Sequence, residues 1–223
     1  MNSNVFLKSY LLFSFVYLLL PFLEMEDISW YFKPFLVPFL IIAVIFSTTF
    51  STKKLLLTAL VFSWLGDIVL MFADKSESYF ILGLASFLVS HLLYIWLFIQ
   101  QNKNQKKILN GVVPISVLII LGYFVAMISL LFPKLGALQI PVTVYAIVIT
   151  VMLYVAFEGS LQWSKPAAFL VLIGAVFFVL SDSILAFNKF YQTLPHSGFW
   201  IMSTYILAQY FIVSGVLQLN KKK

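Results

Sequence analysis

"LLLTALVFSWLGDIVLMF", residues 55–72, decides the fold. An apolar helix rising about 1.5 Å per residue crosses the hydrocarbon core of a bilayer in about 20 residues. This run is long and apolar enough to do so, yet it carries Asp67. A lone carboxylate at the centre of a membrane costs roughly 2.5–3.5 kcal/mol on insertion scales, so an aspartate there is expected to have a partner and a task.

The rest of the chain has the same character. Of its 223 residues, 62% are hydrophobic and 10% charged, and the mean hydropathy is positive. That mixture excludes an ordinary soluble domain. Apolar segments separated by polar punctuation give eight candidate transmembrane helices, at about 5–23, 30–50, 55–72, 79–100, 108–132, 140–158, 166–187 and 199–219. The breaks "EMEDIS", "STKK", "ADKSES", "QNKNQKK", "FPKLGALQ", "GSLQWSKP", "NKFYQTLPHSG" and "NKKK" mix charge with Gly, Pro, Ser or Asn. Eight spans of about 20 residues use roughly 160 positions. Residues 1–223 are therefore expected to form a single integral membrane domain, all α, with no soluble module. Lys8 precedes an apolar stretch, but "LLLPFLEMED" lacks a small-residue cleavage pattern, so the first span reads as a retained helix.

Lysine placement gives an orientation, because cytoplasmic connections are enriched in Lys and Arg. Ten lysines fall on one side: Lys8, Lys53, Lys54, Lys103, Lys106, Lys107, Lys165 and Lys221 to Lys223. Four fall on the other: Lys33, Lys75, Lys134 and Lys189, together with the acidic cluster Glu24, Glu26 and Asp27. Both termini are expected in the cytoplasm of a cell-membrane protein. The net charge of +6 is spread over loop ends in this way, which reads as topology and not as a nucleic-acid surface. No cysteine is present, which excludes disulfides, Cys-ligated metals and thiol nucleophiles. Nothing in the sequence sets an oligomeric state.

The stretch "FSWLGDIVLMF" at 62–72 aligns without a gap on "FFVLSDSILAF" at 177–187, sharing Phe, Leu, Asp, Leu and Phe. The two segments lie on the third and seventh spans, which run in the same direction. Any duplication would be a parallel repeat of two four-helix halves. Asp67 and Asp182 each sit about six residues from the outer end of their span, so the helical rise puts both roughly 9 Å inside that boundary. Lys33 lies just inside the second span on the same side, where an ammonium could neutralise a carboxylate or reach a lipid phosphate.

Other spans add patterned polar groups. His91 and Tyr94 are i, i+3 on the fourth span, and Tyr205 and Gln209 are i, i+4 on the eighth, so each pair shares a helix face. Tyr145 enters the sixth near the outer side. Together they outline a polar cavity that opens outward and narrows toward the midplane. Taken singly, tyrosines are ordinary belt or core residues in a chain with eleven of them. His91 alone could be an interhelical hydrogen-bonding group, and Lys33 alone could snorkel. Ser63, Ser90 and Ser181 read as small packing residues, as do Gly83 and Gly174, and Glu158 as the water-facing end of the sixth span. Two intramembrane carboxylates at one depth are harder to explain by packing.

The chemistry narrows by residue type. No G-x-S-x-G occurs, and Ser90 and His91 are neighbours in sequence, so their side chains point apart on a helix. There are two histidines, and His196 lies in the "TLPHSG" connection, which argues against a zinc hydrolase. No metal site, phosphate-binding glycine loop or cofactor is expected. Paired carboxyls remain. In a partly dehydrated cavity one is expected to hold a proton while the other, helped by Lys33 or tyrosine hydroxyls, stays ionised. Such a pair suits acid-catalysed cleavage through an oxocarbenium-like species. The alternative use is proton coupling in a lipid or small-molecule transporter.

Six motifs, in order, carry a resemblance: "KP" at Lys33-Pro34, "GDIVL" at 66–70, "GLASFLVSHLLY" at 83–94, "VYAIVITVM" at 144–152, "GAVFFVLSDSILAF" at 174–187 and "TYILAQYFIVSG" at 204–215. They are similar to those of the YhhN family of membrane lysoplasmalogenases, from the second span onward. The resemblance implies an eight-helix lipid enzyme that hydrolyses the vinyl ether bond of lysoplasmalogens to a fatty aldehyde and glycerophosphoethanolamine or glycerophosphocholine. Its partners would be the lysophospholipid substrate and membrane lipids. Asp67 and Asp182 would be the catalytic pair. Lys33, His91, Tyr94, Tyr145, Tyr205 and Gln209 would support the substrate.

Overall fold

A computed structural model describes residues 3–102 and 112–221. Among the described residues the chain is all α, with helices α1 (Ser3–Leu19), α2 (Glu26–Phe32), α3 (Leu36–Ile45), α4 (Lys53–Leu70), α5 (Glu77–Asn102), α6 (Val112–Leu131), α7 (Gln139–Gln162), α8 (Ala167–Ala186) and α9 (Ser197–Leu219). Together α2, the short turn Lys33–Phe35 and α3 form the second expected span. Among the described residues, seven helical segments are long and apolar enough to cross a membrane. The remaining helix, α4, holds Lys53, Lys54 and Asp67 within its 18 residues. Leu56, Leu60, Ser63 and Asp67 of α4 are nevertheless buried in the bundle. Lys103, Lys106, Lys107, Lys222 and Lys223 of the lysine count, and the expected start of the fifth span at 108, lie outside the described residues.

Several boundaries move for identifiable reasons. The second span begins at Glu26 rather than 30 and ends at Ile45 rather than 50. Its end is capped: Ser47 Oγ donates to the Val44 carbonyl at 2.7 Å, and Lys53 Nζ donates to the carbonyls of Ile45 at 3.0 Å and Ser47 at 2.8 Å. A lysine at a helix C-terminus satisfies carbonyls that have lost their helical donors. The sixth span runs on to Gln162, so Glu158 lies inside it, half-buried, accepting a hydrogen bond from Tyr154 Oη at 2.9 Å. The expectation of a water-facing terminal Glu158 is corrected accordingly.

The break in the second span is written in "KPFLVP". Proline has no N–H, so Pro38 cannot donate to the carbonyl of Pro34 four residues earlier. In hydrocarbon an orphan carbonyl is expensive, and a neighbouring helix must supply the donor. Trp64 of α4 does so, with Nε1 donating to the Pro34 carbonyl at 2.7 Å. The turn thus docks on α4 one residue from Lys33. Trp64→Phe removes that donor and is expected to destabilise the protein by about 1–3 kcal/mol, read as a lower melting temperature in detergent.

Small residues set the closest helix crossings, as expected where lipid offers no hydrophobic driving force between helices. A Cβ on Gly174 of α8 would come within 2.7 Å of the Ile212 backbone nitrogen and 2.9 Å of the Ala208 carbonyl on α9. Backbone atoms cannot step aside as a side chain can. Gly174→Ala is expected to cost about 1–3 kcal/mol through overpacking. Gly122→Ala, where nothing lies within 4 Å of the new Cβ, serves as the neutral control in the same thermal-unfolding measurement. Hydroxyls knit the α4–α5 pair: Ser63 and Ser90 share a 2.8 Å hydrogen bond, Ser90 donates to the Ala59 carbonyl at 2.9 Å, and Ser86 to that of Phe62 at 2.7 Å. Ser181 ties α8 to α9 by donating to the Ile201 carbonyl at 3.0 Å.

Candidate active site

Asp67 on α4 and Asp182 on α8 line one partly open cavity of about 290 Å³. Lys33 from the broken second span, Tyr205 from α9 and Tyr17 from α1 line the same space, so at least five segments converge on it. Among the described residues, no hydrogen bond or ion pair engages the Lys33 ammonium. It is thus a cation held in the wall of a cavity without a committed partner.

Each carboxylate has its own tyrosine. Tyr205 Oη donates to Asp67 Oδ2 at 2.8 Å, and Tyr145 Oη on α7 donates to Asp182 Oδ2 at 2.5 Å. Hydrogen bonds to an ionised acceptor are short and strong, and they fix the acceptor's rotamer. Below Asp67 the network continues into the bundle. Gln209 Nε2 donates to Tyr205 Oη at 3.2 Å, and Tyr94 Oη on α5 donates to Gln209 Oε1 at 2.8 Å. The chain Tyr94, Gln209, Tyr205, Asp67 therefore links three helices, with every donor aimed toward the carboxylate. A connected, satisfied network of this kind holds its terminal group in place more firmly than isolated bonds.

His91 is different. It is fully buried, and neither ring nitrogen has a hydrogen-bond partner. Its Nε2 lies 3.9 Å from Asp182 Oδ2, outside hydrogen-bond reach. Edge-on contacts with Tyr145, at a centroid distance of 5.4 Å, and Phe178, at 4.6 Å, lock the ring beside that carboxylate. The imidazole is a polar group without a hydrogen-bond partner, packed next to Asp182. Among the described residues no three His, Asp or Glu side chains converge as metal ligands.

All eight residues singled out in the sequence thus fall in one connected region: Lys33, Asp67, Asp182 and Tyr205 on the cavity wall, and His91, Tyr94, Tyr145 and Gln209 packed behind it. Sequence reasoning missed Tyr17. The signal existed, since the buried residues of α1 are Tyr10, Ser14 and Tyr17, at steps of four and three along one helix face. Tyr10 Oη donates to the Ile206 carbonyl of α9 at 3.0 Å, which anchors the first helix beside the network. It also missed the pair Tyr123 and Ser183, whose hydroxyls are hydrogen-bonded between α6 and α8 next to Asp182.

The YhhN family model matches residues 28–216. The chain belongs to the YhhN family. All eight site residues lie within the matched range, whereas Tyr10 and Tyr17 precede it. Among curated relatives, "Lysoplasmalogenase TMEM86B" of Sus scrofa is 33% identical over 167 residues, covering 74% of this chain and 64% of that protein. The protein of the same name from Homo sapiens is 32% identical over 167 residues, covering 74% and 64%. "Lysoplasmalogenase TMEM86A" of Homo sapiens is 35% identical over 166 residues, covering 71% and 63%. This YhhN member spans less than two thirds of the length of these relatives. No solved structure matches it.

Proposed function

We propose that this YhhN protein is a membrane hydrolase that cleaves the vinyl ether bond of lysoplasmalogens, releasing a fatty aldehyde and glycerophosphoethanolamine or glycerophosphocholine. The observation that carries the reading is the pair of aspartates facing one cavity with an unpaired Lys33 ammonium between helices. A vinyl ether hydrolyses when its β-carbon is protonated, and the resulting oxocarbenium ion then accepts water. One carboxyl group gives the proton and becomes a carboxylate. The other, already ionised, takes a proton from the attacking water as the carbon–oxygen bond of the hemiacetal forms. In the collapse the newly protonated group delivers its proton to the departing glycerol oxygen, and the first takes the hemiacetal hydroxyl proton. The cycle closes with both groups in their starting states. Lys33 supports the lipid phosphate, a task for which an ammonium serves as a point charge. His91, Tyr94, Tyr145, Tyr205 and Gln209 orient the carboxyls, the ether oxygen and the water.

The test is incubation of the purified protein with a lysoplasmalogen, its saturated ether analogue and an acyl lysophospholipid, with products identified by mass. Aldehyde from the first alone is the expected result. Free fatty acid from the acyl lipid, with no aldehyde, would replace this reading with an ester hydrolase.

The same reading takes the chain as one membrane domain of eight spans in the cell membrane, with both termini in the cytoplasm, which the lysine distribution supports. It also takes the two halves as a parallel repeat. Supporting this, α4 packs most extensively on α5 and α8 on α9, the equivalent pairs of the two halves. Tyr94 and Gln209, hydrogen-bonded to each other, are 115 positions apart, the same offset that superposes Asp67 on Asp182.

A further inference from the structure

Asp182 stands where two cavities of opposite character meet. Beyond the one that holds Lys33 and Asp67 lies a second, narrow and partly open, of about 70 Å³, with Met127 of α6, Ala146 and Ile149 of α7 and Val179 of α8 in its walls. The two linings have Phe80, Asp182 and Leu185 in common. The π-turn Phe187–Tyr191 after α8 sends Asn188 and Lys189 to the first cavity and Phe190 to the second.

The second cavity offers almost nothing to a polar ligand. Its hydroxyls are spoken for: Tyr123 and Ser183 bond each other, Tyr145 donates to Asp182, and Thr150 donates to the Ala146 carbonyl at 2.6 Å. What remains is hydrocarbon. Its outer wall, α6, is the least buried of the candidate spans, with Leu118 70% and Ile119 67% exposed. An apolar space beside such a helix suits a chain arriving from the bilayer. The first cavity has the opposite bias, with an uncommitted ammonium and charged groups at Asp74 and Lys189.

The geometry points to a divided site for a single-chain lipid. The alkenyl chain occupies the cavity between α6, α7 and α8, the phosphate headgroup occupies the cavity of Lys33, and the chain–headgroup junction lies at Asp182. This assignment rests on the proposed vinyl ether hydrolysis, and it divides the roles of the aspartates. The vinyl β-carbon belongs to the chain side, so Asp182 delivers the proton to it. Asp67, on the headgroup side, takes the proton from water and passes it to the departing glycerol oxygen.

The experiment uses a non-hydrolysable 1-alkyl lysophosphoethanolamine with a photoreactive diazirine at its chain end, irradiated with the purified protein in detergent. Label is expected on the peptides of α6 and α7 that contain Met127 and Thr150. Ala146→Trp, which fills the cavity, should cut that labelling about tenfold and lower kcat/KM for long alkenyl chains relative to four-carbon chains by a similar factor. Ile119→Trp, on the exposed face of α6, should leave that ratio unchanged. Label confined to other helices, or a ratio insensitive to Ala146→Trp, would overturn the divided site. If Ala146→Trp does not fold, the position of the label in the unaltered protein decides alone. Absence of aldehyde from every vinyl ether lipid refutes the hydrolase reading, whereas the labelling pattern still reports where the chain binds.

Discussion

Asp182→Asn is expected to lower kcat for vinyl ether hydrolysis by about 10²–10⁴-fold, the usual contribution of a positioned acid–base group. Asparagine has the same shape, and its Oδ1 can still accept the hydrogen bond from Tyr145 that Asp182 Oδ2 accepts now. What it cannot do is hold and release a proton. The substitution also removes an ionisable group from a membrane helix, which on insertion scales is favourable by up to a few kcal/mol. The melting temperature in detergent should therefore hold or rise while turnover collapses. A purely structural aspartate would give the reverse, a destabilised protein with turnover per folded molecule intact. The check is aldehyde release and thermal unfolding measured on one preparation.

Asp67→Asn is expected to give a loss of similar size, with a different companion effect. Asp67 is the end point of the Tyr94, Gln209, Tyr205 chain and lines the same cavity as Lys33. Neutralising it removes a carboxylate from the cavity that also holds Lys33, so that a lipid phosphate there meets less negative charge. The variant should therefore lose kcat by about 10²–10⁴-fold while binding the non-hydrolysable alkyl lysophospholipid at least as tightly as the unaltered protein. Asp182→Asn, which replaces the group that holds a proton at the start of the proposed cycle, should leave that affinity nearly unchanged. Weaker lipid binding by Asp67→Asn would contradict a phosphate site at Lys33. Both affinities can be read by equilibrium binding of the labelled lipid in detergent.

The site was legible in the sequence to the extent that the membrane makes polar groups conspicuous. Ionisable and amide side chains inside apolar spans are rare because hydrocarbon penalises them, so Asp67, Asp182, His91 and Gln209 stand out with no structural information. Their periodic spacing then joins Tyr94 to His91 and Tyr205 to Gln209. Tyr17 was hidden because tyrosine is common at membrane depths for reasons unrelated to ligands. Its pairing with Tyr10 and Ser14 becomes meaningful only once α1 is packed against α9. The break at Lys33 was half legible: prolines 34 and 38 announce a missing donor, but only the fold reveals that Trp64 supplies it. Lys53, counted in the sequence as a topological charge, also caps the end of α3. A residue can serve both purposes, and hydropathy detects only one.

What hydropathy could not convey was the division of space around Asp182. Both cavities are lined by ordinary membrane-helix residues, and they differ in whether their polar groups are already engaged. Tyr145 looks like a potential ligand contact in the sequence, yet it spends its hydroxyl on a neighbouring helix, as does Tyr123, which the sequence did not single out. Lys33 looks like a snorkelling cation, yet it faces a cavity. The chemistry of a pocket depends on hydrogen bonds left unmade, and these are set by tertiary contacts.

The central claim is carbon protonation by a carboxyl group followed by attack of water, and isotopic labelling of the products tests it most directly. In deuterated water the fatty aldehyde, trapped as it forms, should carry one deuterium at C2, the former vinyl β-carbon. In ¹⁸O-water the glycerophosphoethanolamine should contain no ¹⁸O, because the bond that breaks lies on the vinyl side of the ether oxygen. Aldehyde without deuterium at C2, or ¹⁸O in the glycerol product, would contradict the mechanism.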